Sequence, residues 1–127
     1  MNRQISRFPC PCCGHMVHSD PPGSHRVCAI CFWEDDVVQL RWPSYSGGAN
    51  KASLLAAQAN YVKHGASDLR FRESVRQPSQ DEPFDTGFRP ADPEIDNFEA
   101  EGGKDAPWPA DRTVLYWWRA TYWRARS

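Results

Sequence analysis

Apolar residues recur at helical spacing in a stretch near the middle of the chain. Leu54 and Tyr61 stand seven positions apart, and Leu55, Ala59 and Val62 follow at spacings of four and three, which places them on one side of a helix. Asn50 or Ser53 is expected to cap the start of this helix. Gly65 is expected to end it, because glycine adopts the left-handed conformation at a helix C-terminus at little cost. The pattern predicts one helix that ends near residue 64 and packs its apolar face on the rest of the protein.

A second apolar pattern predicts another helix, over residues 110–125. Aromatic and aliphatic side chains recur there at helical spacing, and arginines fall between them. Asp111 is expected to cap this helix, and arginines at its end suit the helix dipole. One face carries Val114, Leu115, Trp118 and Tyr122, and we expect that face to pack within the molecule. The alternative is a partner-binding helix, whose second face carries Arg112, Arg119 and Trp123.

Shorter stretches predict strands. Residues 1–9 and 15–18 flank the first cysteines, and residues 25–27 return towards the last ones after a turn that contains Pro21, Pro22 and Gly23. These strands predict a hairpin that carries both cysteine pairs at its open end. Residues 37–42 are expected to be a strand or extended, and residues 69–75 an edge strand. The expected fold is small α+β: a zinc-ribbon-like hairpin, a packed helix, and a C-terminal helix after an irregular connector.

All five cysteines lie between residues 10 and 31, in a pattern that predicts a metal site. Cys10 with Cys13 and Cys28 with Cys31 form two CxxC pairs separated by fourteen residues. Four thiolates at this spacing are typical of a closed, tetrahedral zinc site. We therefore predict one structural Zn²⁺, held by two cysteine turns, with Cys12 outside the ligand set.

These cysteine motifs also carry a family resemblance. The motif CPCCG at residues 10–14, followed by CAICFWEDD at residues 28–36, resembles the bacterial cysteine-rich CPCC domain. The likeness continues through residues 48–54, 60–61 and 65–66, and it fades near residues 75–78. The resemblance implies a small metal-binding domain without an assigned reaction, so it supports the fold more than the function.

Charge divides the chain into three segments. Residues 1–80 carry nine basic and six acidic residues, residues 81–105 carry two basic and nine acidic ones, and residues 106–127 carry four arginines and one aspartate. The predicted organisation is a zinc-binding domain at residues 1–80, an acidic proline-rich connector at 81–109 and the aromatic, arginine-containing helix at 110–127. A formal net charge of −1 names no partner by itself, whereas surfaces of opposite sign favour protein binding.

The remaining sequence features favour binding over catalysis. Four cysteine ligands leave no open metal position, and no His-x-Glu motif accompanies the cysteines, so we expect no enzyme. The acidic triplet Glu34, Asp35 and Asp36 is a solvated turn, the N-terminal part of a helical turn, or a contact for a cationic partner.

The predicted function is a non-catalytic, zinc-stabilised protein-interaction module, of which an immunity or antitoxin-type protein that blocks a basic toxin is one form. A nucleic-acid-binding zinc ribbon is the alternative, which the acidic connector disfavours. The sequence shows neither an export signal nor a membrane span, so we expect a cytoplasmic protein.

Overall fold

Two short strands and two helices carry the regular secondary structure of residues 7–101 and 106–125, the part of the chain that the computed structural model describes. In chain order they are the strands β1 (Phe8–Pro9) and β2 (Met16–His18) and the helices α1 (Val37–Arg41) and α2 (Leu54–His64). Two single turns of 3₁₀-helix complete the list, at Leu69–Phe71 and Arg112–Leu115. The small α+β class is confirmed.

β1 and β2 form an antiparallel hairpin around the first CxxC pair. Phe8 pairs with His18 and Pro9 pairs with Met16, with an irregular register between them. The prediction that residues 15–18 pair with residues 25–27 is wrong. In the 25–27 segment, Val27 pairs instead with Glu34, in an isolated antiparallel bridge. The start of the predicted lead-in strand, residues 1–6, lies outside the described residues.

Helix α2 forms where the apolar pattern predicts it, but only part of the predicted face packs, since Leu54 is buried whereas Val62 is 79 % exposed. Ser53 caps it, and its Oγ accepts a hydrogen bond from the Ala56 N–H at 3.1 Å. Gly65 ends it in the left-handed conformation at φ 80°, and its N–H donates to the Tyr61 carbonyl. The two end signals and the periodicity agree here, so the local sequence determines the helix.

Two predicted strands are wrong. Residues 37–41 form helix α1 because Asp36 caps them, accepting hydrogen bonds from the backbone N–H groups of Val38 and Gln39. An aspartate cap outweighs the weak strand preference of two valines at this position. Likewise, Asp68 accepts a hydrogen bond from the Arg70 N–H and begins a 3₁₀ turn where an edge strand was expected.

The predicted C-terminal helix is also wrong. Asp111 caps as expected, but the helix ends after the single 3₁₀ turn Arg112–Leu115, and Tyr116 is already extended. Three consecutive side chains, Leu115, Tyr116 and Trp117, are buried. One face of a helix cannot bury three successive residues, so the chain turns to direct each of them into the core.

One buried cluster contains side chains from all three segments that charge distinguishes. Its non-cysteine members are Ile30, Trp33, Leu40, Leu54, Ala57, Leu115, Tyr116, Trp117 and Tyr122, and the connector adds the partly buried Phe88, Ala91 and Phe98. Backbone hydrogen bonds join the connector to the hairpin, from the Met16 N–H to the Pro83 carbonyl and from the Asp85 N–H to the Gly14 carbonyl, both at 2.8 Å. No helix within residues 7–101 and 106–125 has the length and apolar character to cross a membrane.

Candidate metal centre

The two CxxC pairs lie on turns with the same backbone hydrogen bonds. In the first turn the Cys10 N–H donates to the His15 carbonyl, and the Gly14 N–H donates to the Cys10 carbonyl. In the second turn the Cys28 N–H donates to the Trp33 carbonyl, and the Phe32 N–H donates to the Cys28 carbonyl. The equal spacing of these bonds gives both cysteine pairs the same local shape.

Each turn closes with a residue in the left-handed region. Gly14 has φ 83°, which glycine adopts readily. The equivalent residue in the second turn is Phe32, at φ 71°, where a side chain makes this conformation costly. Packing offsets part of that cost, since the Phe32 ring contacts Phe71 with centroids 4.5 Å apart.

The two turns bring four thiols together in the core. One sulfur atom from each of the four cysteines lies within 4.8 Å of all the others. The Sγ atoms of Cys10 and Cys31 are 3.5 Å apart, and those of Cys13 and Cys28 are 3.8 Å apart. All four residues are at most 2 % exposed. The four predicted ligands therefore do form one buried group.

The four clustered thiols cannot all ionise in the core without a cation beside them. Burial raises the pKa of the Cys10 and Cys31 thiols, because a buried thiolate loses its hydration. Hydrogen bonds from Cys10, Cys13 and Cys31 lower the pKa of Cys28. The group therefore stabilises one thiolate and penalises further ones, and a bound metal ion supplies the positive charge that four buried thiolates require. Four convergent sulfur donors fit a metal that prefers thiolate ligands.

Hydrogen bonds from outside the turns hold the cysteines in place. The Gln58 side chain of α2 donates to the Pro11 carbonyl at 2.9 Å, inside the first turn. The backbone N–H of Ser67 donates to the Cys31 carbonyl at 2.7 Å, and that of Arg76 donates to the Ala29 carbonyl at 3.1 Å. Helix α2 and the segment after it thus fix the relative positions of the two turns.

Cys12 is a fifth buried thiol, outside the group of four. The residue is 3 % exposed. Together with Cys13 it lines a groove between α2 and residues 84–90. Cys12 is not among the four clustered sulfurs, and its expected place outside the metal ligands stays a prediction.

The side chains of the acidic triplet mainly contact other residues of the same protein. Asp35 is 2 % exposed and accepts hydrogen bonds from the backbone N–H and hydroxyl of Ser24. Asp36 is buried at the start of α1 and also accepts from the Ala49 N–H. Glu34 is partly exposed and contacts His25. The predicted partner contact does not fit the burial of Asp35 and Asp36, whereas Glu34 reaches the surface.

The other predicted partner residues, Arg112, Arg119 and Trp123, contact different groups. The Arg119 guanidinium pairs with Asp85 at 2.8 Å, and the Trp123 ring lies beside the guanidinium of Arg41. Arg112 is exposed, with its guanidinium 5.4 Å from the centre of the Trp108 ring. The structure therefore does not bring these three residues together around one common partner group.

Arginines neutralise much of the acidic connector within the molecule. The ion pairs are Arg76 with Glu82, Arg119 with Asp85, Arg89 with Asp96 and Arg41 with Glu99. Arg76 holds the pKa of Glu82 at about 2 by hydrogen bonding to the carboxylate. Reasoning from the sequence missed all four pairs. Two of them, Arg119 with Asp85 and Arg41 with Glu99, join residues 34 and 58 positions apart and leave no local signal by which to find them.

The fold and the four-cysteine group define a small α+β protein with a candidate metal centre. A family model described as Cysteine-rich CPCC matches residues 8–82, which include both cysteine turns, α1 and α2. The chain therefore belongs to the cysteine-rich CPCC family. No curated protein matches it.

Proposed function

We propose that this protein is a non-catalytic, zinc-binding module whose metal centre stabilises the fold. The observation that carries the proposal is the buried group of four cysteine sulfurs, all within 4.8 Å of one another. Four thiolates satisfy the tetrahedral coordination of Zn²⁺ and leave no position for a substrate, which is the usual arrangement of a structural site. Iron is also bound by four cysteines, so the metal has to be identified by experiment.

Metal analysis of the purified protein and of single Cys→Ser variants tests this proposal. We expect one zinc ion per chain in the wild type and in Cys12→Ser, which serves as the matched control. Changing Cys10, Cys13, Cys28 or Cys31 to serine should abolish binding and unfold the protein, because metal binding and folding share their free energy. Iron in place of zinc, or zinc retained after loss of one of the four, contradicts the proposal.

We further propose that the module acts by binding another protein. Two large apolar side chains, Val62 and Phe84, are 79 % and 60 % exposed beside the same groove. Exposed apolar groups around a concavity favour a protein partner. An immunity-type role towards a basic toxin is one form of this proposal, and the partly exposed carboxylate of Glu34 supports it. Internal pairing of the connector acids leaves less free negative charge for such a partner.

Pairing of the arginines counts against the nucleic-acid alternative. Arg41, Arg76, Arg89 and Arg119 each contact a carboxylate of the same chain, so their charge is already compensated. We therefore expect single-stranded and duplex nucleic acids to bind more weakly than roughly micromolar at physiological ionic strength. Fluorescence anisotropy measures this affinity, and tighter binding would favour the alternative.

The protein-binding proposal itself is tested with photo-crosslinking amino acids at positions 34 and 62, in cells that express the protein. We expect a crosslinked protein of defined mass from at least one position. Position 95 is the matched control, because Ile95 is also exposed but lies away from the groove. The proposal fails if positions 34 and 62 give no more adduct than position 95.

A further inference from the structure

A groove of about 460 Å³ runs between helix α2 and the connector and ends at the metal centre. Gln58, Tyr61 and Val62 form one wall, and residues 84–88 with Pro90 form the other. The lining is mostly apolar, and the exposed Val62 and Phe84 side chains mark the end that is open to solvent.

The inner end of the groove contains Cys13. Among the four clustered cysteines, Cys13 lines this groove, whereas Cys10, Cys28 and Cys31 do not. Cys12, the fifth thiol, lies beside Cys13 in the same lining. A solute that enters between Val62 and Phe84 therefore meets Cys12 and Cys13 before the other sulfur atoms.

The connector wall of the groove is anchored at both ends. The Asp85 N–H donates to the Gly14 carbonyl, and the Asp85 carboxylate accepts from Trp118 Nε1 at 2.7 Å and from Arg119 Nε at 2.8 Å. The Phe88 ring packs against Trp118, with centroids 4.8 Å apart. Because these contacts hold the connector in place, the wall of the groove is part of the folded structure.

We propose that this groove is the route by which metal ions and competing chelators reach the four-cysteine centre, with Cys12 as an auxiliary thiol on the route. This inference rests on the proposed metal-binding function. Thiol exchange depends on access to the sulfur, and the groove supplies that access at one ligand. Cys12 supplies one further sulfur donor beside Cys13.

Release of zinc to a chromogenic chelator, 4-(2-pyridylazo)resorcinol, tests the route. The zinc-loaded full-length protein is mixed with excess chelator, and absorbance gives the release rate. Val62→Trp places a larger side chain at the mouth of the groove, and Thr86→Trp does the same from the opposite wall. We expect each to slow release by about fivefold or more, because exchange at a thiolate follows its accessibility. Cys12→Ser, which removes the auxiliary thiol, should slow release in the same way.

Ile95→Trp is the matched control, since Ile95 is 60 % exposed and does not line the groove. Each variant is used once its zinc content and near-ultraviolet circular dichroism match the wild type.

Slower release in a groove tryptophan variant and in Cys12→Ser, with an unchanged control, supports the proposal. A wild-type rate in the groove variants or in Cys12→Ser overturns it. A wild-type protein that binds no metal overturns both this inference and the proposed function, whereas normal zinc content with equal rates overturns this inference alone.

Discussion

Arg41 and Glu99 form a buried, two-point ion pair across 58 residues of sequence. The Arg41 Nε donates to Glu99 Oε1 at 2.6 Å and its Nη2 donates to Oε2 at 3.0 Å. Their side chains are 1 % and 11 % exposed. The guanidinium also lies within 5 Å of the ring centres of Trp42, Trp108 and Trp123. This pair joins helix α1 of the family-matched part to the connector that follows it.

Glu99→Gln should destabilise the protein strongly. Glutamine keeps the shape of the side chain but leaves the buried Arg41 charge without a counter-ion. Removing one partner of a buried pair costs about 3–5 kcal/mol in the free energy of unfolding. Denaturant unfolding of the metal-loaded protein measures the change.

Asp20→Asn is the control for this experiment, because the Arg26–Asp20 pair has side chains that are 66 % and 47 % exposed. Loss of an exposed pair should cost less than about 1 kcal/mol. Equal effects of the two substitutions would show that Arg41 and Glu99 do not act as a buried pair.

Gly14→Ala should destabilise the first cysteine turn for two reasons. Its φ of 83° is unfavourable for alanine by roughly 1–2 kcal/mol. A Cβ atom would also lie next to the Phe88 ring, 2.3 Å from its Cδ2 atom, so the connector has to shift. Gly65→Ala is the control, since φ is 80° there and a Cβ atom would meet nothing within 4 Å. Chemical denaturation should show a larger loss for Gly14→Ala; equal losses would contradict the role of Phe88.

The correct sequence predictions rest on signals that are local. Helix α2 has its apolar spacing, its Ser53 cap and its Gly65 end within thirteen residues, so tertiary contacts are not needed to find it. The clustered cysteines follow from the spacing within each CxxC pair, since each turn is closed by hydrogen bonds among its own residues.

The wrong predictions fall where distant contacts decide the structure. The aromatic end of the chain has helical periodicity, yet Leu115, Tyr116 and Trp117 are all buried, in one cluster with the cysteine turns and with Phe88 and Phe98 of the connector. Periodicity in one sequence does not show which surfaces will surround a segment. The same holds for the acidic connector, whose composition indicates a charged surface although Asp85 and Glu99 pair with arginines 34 and 58 residues away in the chain.

Trp117→Ala should cost more stability than Trp118→Ala, the reverse of what a continuous C-terminal helix predicts. Trp117 is buried, packs against Phe98 with centroids 5.9 Å apart and donates from Nε1 to the Arg89 carbonyl. Trp118 is only partly buried. Truncation of a buried tryptophan typically costs about 3–5 kcal/mol. Thermal and denaturant unfolding compare the two variants, and a larger loss for Trp118→Ala would argue for the helix.

Tyr122 should make the stability of the protein depend on alkaline pH. Burial raises the pKa of its phenol from 10.0 to about 12, because the phenolate loses its hydration. The unfolded chain therefore loses this proton near pH 10, whereas the folded chain keeps it until about pH 12. The stabilisation associated with the protonated phenol is thus complete below pH 10 and is lost as the pH rises towards 12, by up to roughly 2–3 kcal/mol.

Tyr122→Phe removes this titration and a 3.4 Å hydrogen bond to the Asn97 carbonyl. The variant should be somewhat less stable than the wild type at neutral pH, by about 1 kcal/mol. Its stability should then fall less steeply between pH 10 and pH 12, so the two curves converge. Unfolding measured across this range gives both slopes, and the ultraviolet absorbance of phenolate follows the titration directly. Parallel curves would mean that the Tyr122 phenol titrates alike in the folded and unfolded chains, and that it is not enclosed by the core as the structure places it.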